Sequence, residues 1–300
     1  MIVYLAGERD LIGAKLGHSW STVLRRKLIS YYYQGAMNEN VPTQVVHETR
    51  DITKDLFLDS GAYSAFTKGV ELELDMYAEY IHSADIWTCI SNLDDIGGNA
   101  QLTYDNQKAL ESLGCNVCPV FHVGDDIKWL IKYLDEGYDY VFIGGMVHRS
   151  TKYLTGWLDD VWSHYLTNSD GTPRVKVHGF GLTTVDLMFR YPWYSVDSST
   201  WLMTGIFGNC IFRIGDKYVN LPMSKESPSL RNGDSNHYNN LNSIDRGIID
   251  TELTKLGITA EDCAETYHYR DIVNAYTFQN MELYGIDKLV NIQQGLFNVC

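Results

Sequence analysis

The sequence lacks several features that mark whole classes of protein. No run of about 18 apolar residues occurs, so nothing in it reads as a membrane-spanning helix, and no membrane partner is expected. The opening MIVYLAGERD puts Glu8 and Asp10 where a signal peptide would continue its apolar region, so a soluble, cytoplasmic protein is expected. Six cysteines in 300 residues, irregularly spaced, do not make a disulfide framework, and a reducing compartment is the simpler setting. Positive charge is scarce as well: 24 Lys and Arg against 38 Asp and Glu leave a formal net charge of −14. Phosphate binding normally shows as a basic surface, so a nucleic-acid partner would have to be met by a local patch. Arg25, Arg26 and Lys27 form one short cluster and Arg149 with Lys152 another, and each taken singly reads first as solvated helix surface. Internal repeats and low-complexity tracts are also missing.

What is present suits a large α/β core. Hydrophobic residues make up 45% of the chain, enough for one big domain or two smaller ones, and one is favoured. Eight short apolar runs rich in β-branched and aromatic residues recur, at 2–6, 28–32, 56–59, 86–93, 117–122, 140–143, 175–178 and 194–197. Amphipathic stretches at 72–82, 101–113, 127–135, 154–165 and 185–189 separate the later runs. Strand alternating with helix eight times is the pattern of a TIM (β/α)8 barrel, with a doubly wound open sheet as the competitor. Residues 34–55 have little helical periodicity, so that unit is expected to be irregular. A hairpin is expected over 211–221 with its turn at Gly215-Asp216, then a polar loop at 224–243 and helices at 248–256 and 261–284. The resulting division is a catalytic barrel over 1–222 and, over 223–300, the loop and a C-terminal helical extension packed on it.

Catalytic groups of such barrels sit at the C-terminal ends of strands. Here those positions hold Asp59, Asp94-Asp95, His122, Gly144-Gly145, His178-Gly179 and Asp197. A single Asp after a strand is more often a helix N-cap, but several convergent polar ends are harder to dismiss. Two carboxylates across a barrel mouth suit substitution at an anomeric carbon, and Asp59 and Asp197 are the candidate pair. Spacing alone leaves open which one attacks and whether a sugar or a base departs. Gly144-Gly145 and the Gly179-Phe180-Gly181 turn would let backbone amides approach a ligand.

Taken together, these strand ends resemble the tRNA-guanine transglycosylase superfamily, most closely its phage-type members that place 7-deazaguanines in DNA. The resemblance covers roughly residues 2–201. Leu58-Asp59-Ser60-Gly61-Ala62-Tyr63 is similar to the family's Asp-Ser-Gly-Gly-aromatic-Gln signature, and Leu93-Asp94-Asp95 to its base-recognition Asp. Ile143-Gly144-Gly145-Met146 resembles the Gly-Gly-Leu turn, His178-Gly179-Phe180-Gly181 the Met-Gly-Val-Gly turn, and Val196-Asp197-Ser198 falls where the family keeps its nucleophile. By that resemblance Asp197 attacks C1′, expels guanine and holds a covalent glycosyl-enzyme intermediate, while Asp59 manages protons for both bases. Asp94 would read the guanine edge, with Ser60, Gly144, the Gly145 amide and Met146 around the base. Tyr63 and His178 would stack on its two faces, and His122 stands near a family glutamine that touches it. Gly179 and Gly181 would face the phosphate backbone.

The implied partners are double- or single-stranded DNA and a free 7-deazaguanine base, with no cofactor and no metal. The implied setting is the cytoplasm of an infected bacterial host if the protein is phage-encoded. Ala62, Ser64 and His178 depart from the family's Gly, Gln and Met. The tRNA enzymes' zinc run is missing too. Cys210, Cys263 and Cys300 are scattered, and Cys115-x-x-Cys118 has no second pair, so both of its cysteines are read as structural. A tRNA substrate, a non-catalytic nucleic-acid-binding subunit and, last, a glycoside hydrolase-like barrel are the alternatives.

Overall fold

The computed structural model describes residues 1–7, 25–43, 46–47, 51, 53, 55–182, 184–233 and 236–295, with side chains up to 283. Glu8, Asp10 and part of the irregular 34–55 segment therefore lie outside the described residues. The chain divides into two compact units, one holding the strands through Ser198 and also Glu282, the other comprising Ser199–Met281 and Arg25.

In the first unit the apolar runs become β1 (Ile2–Leu5), β2 (Arg26–Ser30), β3 (Asp55–Asp59), β4 (Cys89–Ile90), β5 (Val120–His122), β6 (Tyr140–Gly144), β7 (Lys176–Gly179) and β8 (Ser195–Ser198). They form one all-parallel sheet in the order β4-β3-β2-β1-β8-β7-β6-β5. Helices α1 (Ala62–Lys68), α2 (Leu74–His82), α3 (Ala100–Ser112), α4 (Lys128–Asp135), α5 (Thr151–Val161) and α6 (Val185–Arg190) lie between the strands. Leu56, Phe57 and Leu58 on β3, and Val141, Phe142 and Ile143 on β6, are completely buried. Such strands are covered on both faces, as a parallel sheet flanked by helices requires. Leu58 packs outward with Tyr77, Tyr80 and Leu110 of α2 and α3, whereas Phe57 packs inward with Tyr4, Leu28, Val120 and Phe142.

That inward cluster shows the sheet to be curled. Between β3 and β7 lie three strands, a separation of ~19 Å in a flat sheet, and β6 is one strand further. Yet the Phe57 ring centroid is 4.9 Å from that of His178 on β7 and 5.2 Å from that of Phe142 on β6. The edges β4 and β5 are tied by a single parallel bridge, Ser91 to Cys118, with backbone bonds of 3.0 Å from the Asn92 N–H to Cys118 O and 2.9 Å from the Cys118 N–H to Ile90 O. No ladder continues across that seam.

Two expected strands shrink for local reasons. The run 86–93 yields only Cys89–Ile90, because Trp87 turns out to pack on Tyr80 and the Asn92 side chain bonds Thr103 O of α3 at 2.7 Å. The run 117–122 forms a continuous ladder only from Val120, since Pro119 has no N–H to give and Cys118 makes only the isolated bridge to Ser91. The expected run 28–32 begins instead at Arg26, and Tyr32–Ala36 forms a π-helical turn.

The basic cluster 25–27 is not solvated helix surface. Arg26 on β2 pairs with Asp55 and with Glu282, and Lys27 is buried with its ammonium on Gly7 O. In the second unit Arg25 bonds the Gln279 carbonyl at 2.7 Å.

The second unit contains α7 (Thr200–Ile206), the antiparallel hairpin β9 (Asn209–Ile214) and β10 (Lys217–Pro222), α8 (Ser243–Thr254) and α9 (Ala260–Glu265). Gly215, at φ 63°, sits in the expected hairpin turn. The expected polar loop carries short helical turns at Pro228–Arg231 and Tyr238–Asn240, and the expected helix 261–284 is split at Thr266 into α9 and α10 (Tyr267–Gly295). Among the described residues no helix is long and apolar enough to cross a membrane.

Candidate active site

Asp59 ends β3, and the chain leaves it through Ser60 and Gly61 into α1. Gly61 has φ 74°, and a Cβ there would lie 2.3 Å from Ser30 Oγ and 2.6 Å from Tyr32 Cβ, so this turn requires glycine. Its N–H donates to Asp59 Oδ2 at 3.0 Å, while Ser91 Oγ stands 3.5 Å from Oδ1. Ser91 is itself placed by the Ser60 N–H, which donates to its Oγ at 3.0 Å. Burial pushes the Asp59 carboxyl up to about 8, the Asp94 and Asp197 charges add to the rise, and the bonds from Gly61 and Ser91 only partly oppose it. At neutral pH Asp59 is thus mostly a protonated acid beside two other carboxyl groups.

Asp94 is gripped from two sides. Ser60 Oγ donates to its Oδ1 at 3.3 Å, and His122 Nε2 lies 2.8 Å from its Oδ2. The other His122 nitrogen faces Asp125 Oδ2 at 3.7 Å. Burial alone would lower the His122 pKa, but the Asp125 and Asp94 carboxylates outweigh it and raise it to about 10, making this ring an imidazolium between two anions. Gly144 makes room for it, because a Cβ at 144 would sit 2.7 Å from His122 Cδ2. With both ring nitrogens facing carboxylates, His122 orients Asp94 and has no N–H left for a base. The following turn is braced by Arg149, whose Nε donates to Gly145 O at 2.9 Å and whose Nη2 donates to Val123 O at 3.1 Å. Arg149 is therefore committed to the loop, and Met146 is buried.

Asp197, on β8, is 6% exposed. Its Oδ1 accepts from the Gly181 N–H at 2.8 Å and lies 3.3 Å from His178 Nε2. Among the described residues no donor reaches Oδ2, so one oxygen is anchored and the other is left for chemistry.

The structure thus gathers Asp59, Ser60, Asp94, His122, Gly144 and Asp197 at one end of the sheet. Tyr63 is 45% exposed there, and its hydroxyl lies 3.1 Å from Nε2 of His148, a residue with φ 64°. Other expectations fail on geometry. His178 is fully buried, with Phe57, Phe142 and Phe180 ring centroids within 5.0 Å, so neither face is open for stacking. Gly181 spends its amide on Asp197, and Gly179 lies within the β6-β7-β8 ladders, which leaves neither free for a phosphate.

Sequence reasoning missed Ser91, Asp125, Arg149 and Ser195. Only Asp125 carried a signal, three residues beyond a strand-end His. Cys115 is buried beside His82, with Sγ 3.4 Å from Nε2. Among the described residues no group of three His, Cys, Asp or Glu is placed to hold a metal ion. A protonated acid, a carboxylate with one free oxygen and a third carboxylate clamped by an imidazolium can together support displacement at an anomeric centre with proton transfer to the leaving group. In comparisons with known proteins, no family model matches the chain and no curated protein matches its sequence.

Proposed function

We propose that the eight-stranded unit is a (β/α)8 barrel that exchanges guanine in DNA for a free 7-deazaguanine base. The observation that carries this reading is the unequal pair Asp59 and Asp197. Asp59 is held protonated by burial and by its two acidic neighbours, while Asp197 presents an unencumbered Oδ2. In the proposed exchange Oδ2 bonds to C1′ as the C1′–N9 bond breaks, and the Asp59 proton leaves with the departing guanine. The incoming base then gives its N9 proton to Asp59 and displaces Asp197 from C1′, so the proton count closes. In this reading Asp94, held by Ser60 and His122, accepts hydrogen bonds from a guanine-type edge, and Tyr63 supplies one exposed aromatic face.

No step needs a cofactor. The two-anion clamp on His122 also supports base recognition over sugar chemistry, because a plain glycosidase gives Asp94 no task. Mass spectrometry of nucleosides from DNA incubated with the protein and 7-deazaguanine tests the reading, with tRNA in a parallel reaction. Incorporation into DNA is expected. Incorporation into tRNA alone would reassign the polymer, and none into either, with the fold intact, would sink the proposal.

A further inference from the structure

Behind Asp197 runs a line of polar side chains that the exchange as described does not use. Ser195 and His178 are fully buried and Tyr140 is half-buried, on the neighbouring strands β8, β7 and β6. Ser195 Oγ lies 2.5 Å from both the Tyr140 hydroxyl and His178 Nδ1, and His178 Nε2 lies 3.3 Å from Asp197 Oδ1. Counting donors fixes the direction of the chain. Burial among phenyl rings lowers the His178 pKa, and Asp197 only partly offsets this, so the ring is neutral with a single N–H. A carboxylate oxygen can only accept, which places that N–H on Nε2 and leaves Nδ1 to accept the Ser195 O–H. Ser195 in turn accepts the Tyr140 O–H. Run the other way, the chain would set an imidazole lone pair against the carboxylate, an unsatisfied contact in a dry interior.

We propose that His178 is a positioning residue for Asp197, locked in its Nε2–H tautomer by Ser195 and Tyr140, so that Oδ1 is anchored and Oδ2 alone faces the sugar. This inference rests on the transglycosylase reading for its kinetic consequence but not for its tautomer. Gly181 anchors the same Oδ1 from the loop side, so the carboxylate plane is fixed by two donors from β7 and its turn. Removing one should cost rate with little cost in binding, since neither touches the base.

The test takes five proteins: wild type, His178→Leu, His178→Gln, Ser195→Ala and Tyr140→Phe. ¹⁵N spectra of the imidazoles should show His178 as the Nε2–H tautomer in wild type and a mixture of tautomers in Ser195→Ala. With DNA and 7-deazaguanine, His178→Leu should lose about tenfold or more in kcat with KM nearly unchanged. His178→Gln, whose amide can still donate to Asp197, should recover most of that loss, and Ser195→Ala and Tyr140→Phe should fall between. An Nδ1–H tautomer in the folded wild type would overturn the proposal, as would wild-type kcat in a folded His178→Leu protein or a Gln variant no better than Leu. If wild type exchanges no base in DNA or tRNA, the transglycosylase reading fails while the spectra still decide the tautomer.

Discussion

At the scale of single residues, Asp59 and Asp197 carry the same functional group in surroundings that differ, and the proposed exchange gives them opposite roles. Asp197→Asn keeps the shape and the anchoring at Oδ1 but removes the proposed nucleophile. A covalent DNA adduct detectable by denaturing gel in wild type should vanish, with exchange falling on the order of a hundredfold or more. Asp59 makes a different prediction. An unfolded Asp ionises at about 4, while burial pushes the folded Asp59 carboxyl up to about 8. Between those values the folded protein keeps a proton that the unfolded chain has lost, so stability from this group is full below the lower value and drains away as pH rises to the upper one. Asp59→Asn removes that dependence. The difference in Tm between Asn variant and wild type should therefore grow in the variant's favour from about pH 4 to 8 and level off above; a difference that does not change with pH would show the shift to be absent. The three acids were legible in the sequence because a polar residue ending an apolar run is visible without a fold. The burial of His178 beside Asp197 was not, since it comes from Phe57, Phe142 and Phe180 on three separate segments.

At the scale of elements, the strands and helices followed from periodicity wherever the run met no competing partner. Helices α2 to α6 begin within three residues of the expected stretches. Side-chain bonds to α3 and the missing N–H of Pro119 shortened β4 and β5, and neither is a periodic feature. Helix α1 was not foreseen at all, because only its small Ala62 and Ala65 are buried while Tyr63 and Phe66 are exposed, so no stripe of large apolar residues marks its inner face. The end of β6 shows how an element shapes the site. A methyl group at 144 would meet His122 Cδ2 at 2.7 Å, so Gly144→Ala must displace the ring that holds Asp94. Overpacking of this kind costs about 1–3 kcal/mol, which a denaturant titration would resolve. The same variant should bind 7-deazaguanine several-fold more weakly by calorimetry. Unchanged affinity would mean that the Asp94–His122 pair does not shape the base pocket.

At the scale of the whole molecule, the proposed DNA substrate raises the question of how a chain of net charge −14 would meet a polyanion. Many of its cations are already engaged. Arg26 is held by Asp55 and Glu282, Lys108 by Glu111 and Glu136, Arg190 by Asp159, Lys225 by Glu265, Arg231 by Glu226 and Lys255 by Glu252. Arg149 is turned onto two carbonyls of its own loop. With these cations paired and a net charge of −14, the proposed enzyme should release few counterions on binding DNA. With about two phosphates neutralised, the slope of log affinity against log salt is roughly −2, and raising salt from about 50 to 200 mM costs near tenfold, against a thousandfold or more for a dedicated phosphate-binding face. Fluorescence anisotropy with a labelled duplex and a labelled single strand measures that slope, and a value steeper than about −5 would reveal a basic surface that these pairings hide. A shallow slope shifts the work of recognition to the extruded base. Free 7-deazaguanine should then displace DNA at low and high salt alike, because the contacts it competes for are those of Asp94 and its neighbours rather than those of the backbone.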